Sequence, residues 1–175
     1  EPVVLPESID LNNIPKKEWC VSGCMGRKPN AINSMRIKAD DLENYTIGIY
    51  KKHEIIKENE TRFEEYMCDD AEIILTAYGT VSRVCKSAIT LLRKKGVKAG
   101  LIRPITLFPF CDKVFEKYAK KPLVKKFICS ELSMGQMVED VKLAVNGLKP
   151  VLFFGRCGGN VMTEDEIYNF VLKNK

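Results

Sequence analysis

The chain has 175 residues, of which 45% are apolar and 29% charged, and a formal net charge of +5. This is the balance of a globular protein large enough for one compact domain, or for one domain with an appendage. No stretch approaches the apolar length of a membrane-spanning helix, and no basic segment leads into an apolar one at the start as in a secretion signal.

Residues 1–13 carry two prolines and the pair Asn12-Asn13, with no helical period. Residues 22–33 collect Gly23, Gly26, Pro29 and asparagines, and read as a loop. Residues 34–37 and 45–50 each read as a short strand. Residues 51–67 read as a helix with Ile56, Phe63 and Met67 on one face. The pattern becomes regular after Cys68. Residues 72–78 form a short apolar run that turns at Gly79-Thr80, as a buried strand does. Residues 81–95 follow as an amphipathic helix with Val81, Val84, Cys85, Ala88, Leu91 and Leu92 inward, and Gly96 stops it. A second strand over 97–102 feeds Arg103-Pro104-Ile105-Thr106-Leu107-Phe108-Pro109-Phe110, whose prolines hold the exit extended. Residues 112–120 read as a helix burying Val114, Phe115 and Tyr118, and 127–130 as a third strand. Ser133-Met134-Gly135-Gln136 fits a capping box, predicting a helix that buries Met137, Val141, Ala144 and Val145 and ends at Gly147. A fourth strand covers 150–154. A second capping box, Thr163-Glu164-Asp165-Glu166, opens a last helix with Ile167, Phe170 and Val171 inward.

Strands alternating with helices at this spacing predict an α/β fold of three layers, αβα, around a mostly parallel open sheet of about four to five strands. Residues 1–68 are expected to be a connector with one helix, and 69–175 the α/β domain.

In such a sheet, functional groups gather where strands end. Here those positions hold Thr80, Arg103, Thr106, Glu131, Ser133, Gly135, Gln136, Arg156 and Gly158. The helix starts at Thr80 and Ser133 could each hold an anion, although every strand-to-helix turn needs such a cap and the plainer reading is structural. The glycines at 155–159 lack the spacing of a dinucleotide fingerprint, and no phosphate-loop lysine motif occurs. Cys20 and Cys24 would be half of a metal site with no second pair to complete it, and His53 is the lone histidine. Cys157 beside Arg156 has no histidine near it in sequence to act as base. Asp69-Asp70 precedes the first strand of the regular part and reads as a turn. No catalytic residue and no metal ligand set is expected. Seven cysteines without an export signal point to reduced thiols and a cytoplasmic location. Lysines in short pairs (Lys51-Lys52, Lys94-Lys95, Lys120-Lys121, Lys125-Lys126), with no aromatic stripe among them, read as solvated surface rather than a nucleic-acid face.

An ordered set of motifs points further. Asn59-Glu60-x-Arg62-x-Glu64-x-Tyr66 leads into Asp69-Asp70-Ala71-Glu72. Ala77-Tyr78-Gly79-Thr80-x-Ser82-Arg83 follows, then the Arg103–Phe110 segment, then Glu131-Leu132-Ser133-x-Gly135-Gln136-Met137. This set resembles the α-type subunit of 2-oxoacid:ferredoxin oxidoreductases, most of all the branched-chain type that handles 2-oxoisovalerate. It is similar to that subunit's second, transketolase-C-terminal-like domain with the connector before it. Cys111 and Cys157, and the lack of proline after Gly158-Gly159, depart from the pattern.

The resemblance implies a holoenzyme that oxidatively decarboxylates a 2-oxoacid to an acyl-CoA and reduces ferredoxin. It places thiamine diphosphate, magnesium and iron–sulfur clusters on other domains or subunits, so this piece would bind no cofactor and be inactive alone. The opening Glu1-Pro2-Val3-Val4-Leu5-Pro6 would follow a pyrimidine-binding domain not contained here. Expected partners are the pyrophosphate-domain, gamma and ferredoxin-like subunits, with CoA and ferredoxin met through the holoenzyme, no nucleic acid, no membrane, and a homodimer as a further option. Two other readings stay open: a free-standing module that binds a small anion, and the equivalent domain of a transketolase or 2-oxoacid dehydrogenase.

Overall fold

The computed structural model describes residues 5–175, so most of the opening Glu1–Pro6 stretch lies outside the described residues. The chain falls into two compact units, Glu1–Thr46 and Ile47–Lys175. In the first, a single 3-10 turn at Leu11–Asn13 is capped by the Asp10 carboxylate, which accepts the Asn12 N–H at 2.9 Å. A loop then closes around the Cys20 carbonyl, which accepts from the Asn30 side chain at 3.0 Å and from Arg27 at 3.2 Å. Residues 34–37 are irregular rather than a strand.

Helix α1, Ala39–Glu60, runs from the first unit into the second and buries no residue fully. It absorbs the strand expected at 45–50. The helix expected over 51–67 stops at Glu60, and Phe63–Tyr66 is a strand, β1. The reason is tertiary. Glu64 and Glu65 have weak strand preference alone, but an antiparallel ladder from Phe63↔Pro104 to Tyr66↔Leu101 fixes the segment against the third strand. His53, exposed on α1, meets the Phe108 ring edge-on with centroids 6.0 Å apart.

The regular part matches the pattern read from the sequence. Strands β2 (Ile73–Thr76), β3 (Ala99–Pro104), β4 (Lys126–Glu131) and β5 (Val151–Gly155) are parallel, and the sheet order is β1-β3-β2-β4-β5. The α/β expectation and the strand count hold, with the fifth strand supplied by β1. Helices α2 (Gly79–Lys94) and α5 (Glu164–Lys173) cover one face; α3 (Asp112–Ala119) and α4 (Met137–Val145) cover the other. Period-2 alternation sorts the strands between two cores: Ile73, Leu75 and Ile128 face α2 and α5, while Ile74, Phe127 and Cys129 face α3 and α4. Gly100 on β3 is a close approach, because a Cβ there would stand 2.6 Å from the Met67 carbonyl and 3.0 Å from Cys68 Cα. Among the described residues, no helix is long and apolar enough to cross a membrane.

Candidate functional site

The strand order places a switch point at the centre of the sheet. From β2 the chain moves one way to β3, then returns to the other side of β2 for β4. The chains leaving β2 and β4 therefore part onto opposite faces, and a crevice opens between them. Tyr78, Gly79, Thr80 and Val81 line it from one side and Ser130, Glu131 and Leu132 from the other, around a volume of about 110 Å³. A wider, shallow depression of about 310 Å³ lies between α2 and the start of α5.

Glu131 dominates this edge. It is 1% exposed, yet its carboxylate is fully engaged. Oε2 accepts the N–H groups of Gln136 at 3.1 Å and Met137 at 3.0 Å and the Ser133 hydroxyl at 3.1 Å; Oε1 accepts the Val138 N–H at 2.9 Å. Burial pushes its carboxyl up, but those backbone donors outweigh burial and hold it below the ordinary glutamate range. The expected capping box at Ser133 is thus corrected. Helix α4 starts at Met137, Gln136 is the N-cap without a side-chain bond, and Glu131 supplies the cap from the end of β4. Ser133 instead accepts the Gly135 N–H at 3.1 Å, and Gly135 turns with φ +107. The anion place expected for a ligand at this helix start is filled by the protein's own carboxylate.

The other predicted residues lie along the same edge but do not converge. Thr80 is exposed at the first turn of α2, whose N-cap, Tyr78, makes no side-chain bond. Arg103 turns sideways to the edge strand, where Glu64 receives both it, at 3.1 Å, and Lys86, at 2.5 Å. Thr106 latches the loop after β3 to the start of β1, accepting the Arg62 N–H at 2.9 Å and donating to the Pro109 carbonyl at 3.1 Å. Arg156 pairs with Glu166, and its N–H donates to the Glu131 carbonyl at 3.0 Å. Gly158 and Gln136 are exposed. Gly155 admits no side chain, since a Cβ would stand 2.5 Å from the Ser133 carbonyl and 2.3 Å from the Phe153 ring.

With Glu131, Ser133, Arg103, Thr106 and Arg156 engaged within the protein, much of what the edge presents is apolar. Ile105, Leu107 and Phe108 after β3, and Leu132 and Met134 after β4, stand out, with Phe108 69% and Met134 81% exposed. Sequence reasoning missed these. The available signal was a run of large apolar residues in loops that match neither a helix nor a strand period.

Among the described residues, no three His, Cys, Asp or Glu side chains stand together as metal ligands. The buried carboxylate caps a helix, and all seven cysteines are free, four of them buried in the cores.

Residues 71–167 match the family described as pyruvate:ferredoxin oxidoreductase core domain II. The chain belongs to that family. It is 41% identical over 93% of its length to ketoisovalerate oxidoreductase subunit VorB of Methanothermobacter marburgensis, covering 45% of that protein. It is 35% identical over 59% of its length to 2-oxoglutarate synthase subunit KorA of Methanocaldococcus jannaschii, covering 27% of it. The chain thus spans less than half of these curated relatives. In three dimensions it resembles 2-oxoglutarate:ferredoxin oxidoreductase from Magnetococcus marinus, with a TM-score of 0.67 and 19% identity, over 79% of this chain and 24% of that one. It also resembles a split-gene transketolase described as an inactive beta4 tetramer, with a TM-score of 0.54 and 16% identity, over 64% of this chain and 40% of that one.

Proposed function

We propose that this chain is the accessory second domain, with its connector, of a thiamine-diphosphate-dependent 2-oxoacid:ferredoxin oxidoreductase, and that the 2-oxoacid is 2-oxoisovalerate. The holoenzyme oxidatively decarboxylates that acid to an acyl-CoA and passes the electrons to ferredoxin. Coenzyme, magnesium and clusters reside on other domains and subunits, and this piece holds the assembly together. Residues 1–68 lead from the preceding domain into the α/β body. The observation that carries the reading is the 41% identity to the VorB subunit across 93% of the chain.

The site geometry supports the assembly role. Glu131, Ser133, Arg103, Thr106 and Arg156 are engaged within the protein, and Ile105, Leu107, Phe108, Leu132 and Met134 offer an apolar surface such as packs against a neighbouring domain. The test is reconstitution. Calorimetry on the chain alone is expected to show no binding of thiamine diphosphate, and a dye-reduction assay with 2-oxoisovalerate no turnover. Adding the coenzyme-binding parts of the enzyme is expected to give turnover, and Phe108→Glu with Met134→Glu is expected to abolish assembly while leaving the fold intact. Decarboxylation by the chain alone would end the proposal.

A further inference from the structure

The edge opposite the candidate site is basic. Residues 93–98 and 120–126 hold eight lysine and arginine side chains and no carboxylate. Since the whole chain is only +5, everything outside those two turns is net negative. Three of the four lysine pairs that look scattered in the sequence are brought together by the fold. The first turn ends in β3 and the second in β4, and both strands start beside Ile73 of β2, opposite Ala99 on one side and Lys126 on the other. The backbone of Glu72 spans the gap, donating to the Lys98 carbonyl and accepting from the Lys125 N–H, each at 2.8 Å.

Helix C-termini attract cations, and Lys94 and Lys95 end α2. That accounts for only part of the cluster, because Lys98, Lys125 and Lys126 lie beyond helix ends, at the strand starts. Nor do the local acids neutralise it. Asp70 is held by Arg93 at 2.7 Å, Glu72 by Lys125 and Glu116 by Lys120, and half-buried Lys121 lies over the Tyr118 ring at 4.2 Å, which leaves Lys94, Lys95 and Lys98 facing solvent. In their midst Pro122 and Leu123 are exposed, Leu123 by 41%. An apolar centre ringed by charge is the anatomy of a protein–protein contact.

We infer that this edge is a docking surface for an acidic protein, reached by electrostatic steering. The chemistry favours a protein over nucleic acid or membrane. All but one of the cations are lysines, which bind as point charges; planar, bidentate recognition of phosphate is the work of arginine. The surface consists of turns with no exposed aromatic side chain among them on which a base could stack.

The probe is poly-L-glutamate, titrated into the isotope-labelled chain and read by amide NMR at about 0.15 M salt. Shifts are expected to concentrate at 93–98 and 120–126. Lys95→Glu with Lys98→Glu is expected to weaken binding by about tenfold, while Lys51→Glu with Lys52→Glu on α1 leaves it unchanged. Lys95→Gln with Lys98→Gln, a milder change, is expected to weaken it less, in the same place. Shifts spread equally over the lysines of α1 would overturn the inference. So would tighter binding of a duplex RNA of matched charge, or of vesicles doped with phosphatidylserine, than of polyglutamate.

Discussion

Glu131 couples the sheet to the helix after it. A buried carboxylate is costly unless its charge is met, and here three N–H groups at the start of α4 meet it, where the helix dipole also favours a negative charge. Glu131→Gln keeps the shape but loses the charge, and is expected to destabilise the fold by about 1–3 kcal/mol. Urea unfolding at neutral pH measures it. The pH dependence follows from the lowered carboxyl. Its contribution is fully present above the ordinary glutamate value of 4.5 and is lost as pH falls below that, toward the folded value. The gap between wild type and Glu131→Gln should therefore narrow on acidification. At Gly155, the Cβ added by Gly155→Ala meets the Ser133 backbone, which cannot rotate away; a loss of about 1–3 kcal/mol is expected from the same unfolding curves.

Among the elements, α5 begins as its sequence says it should. Thr163 accepts the Glu166 N–H at 3.3 Å, and the Glu166 carboxylate returns to the Thr163 N–H at 2.8 Å. Thr163→Ala is expected to lower stability by about 1 kcal/mol, seen as a lower urea midpoint at unchanged slope. The second box-like motif, at Ser133, forms no such pair. Both sequences carry a hydroxyl residue followed three positions later by Glu or Gln, and what separates them is the acid placed by β4, which reaches the same donors first. β1 was hidden for a similar reason. Its four residues continue a helical pattern from α1, and only the ladder to β3 makes them a strand. The apolar runs of β2 and β4, by contrast, are covered on both faces, so their composition alone announced them.

On the scale of the whole molecule, the two cores hold four of the seven cysteines. Burial pushes Cys68 up to about 11 and Cys85 and Cys111 up to about 12, and Cys129 is raised as well. Cys24 and Cys157 are exposed. A thiol reagent at about pH 8 is therefore expected to modify Cys24 and Cys157 in the native chain and the four buried thiols only as it unfolds, read residue by residue by mass spectrometry. The two ends of the sheet also differ in kind. One is apolar, from Phe108 to Met134; the other is basic, around Lys95 and Lys98. The first suits a lasting contact, insensitive to salt, and the second a contact that salt screens.

Local pattern was enough for the α/β class, the parallel core, the α5 cap and the family, because each is written in neighbouring residues: apolar runs, helical spacing, turn glycines and ordered motifs. The role of Glu131, the strand at 63–66, the apolar strand-end surface and the gathered lysines each join segments distant in sequence. Parallel crossovers bring those segments side by side, so only the tertiary structure decided them.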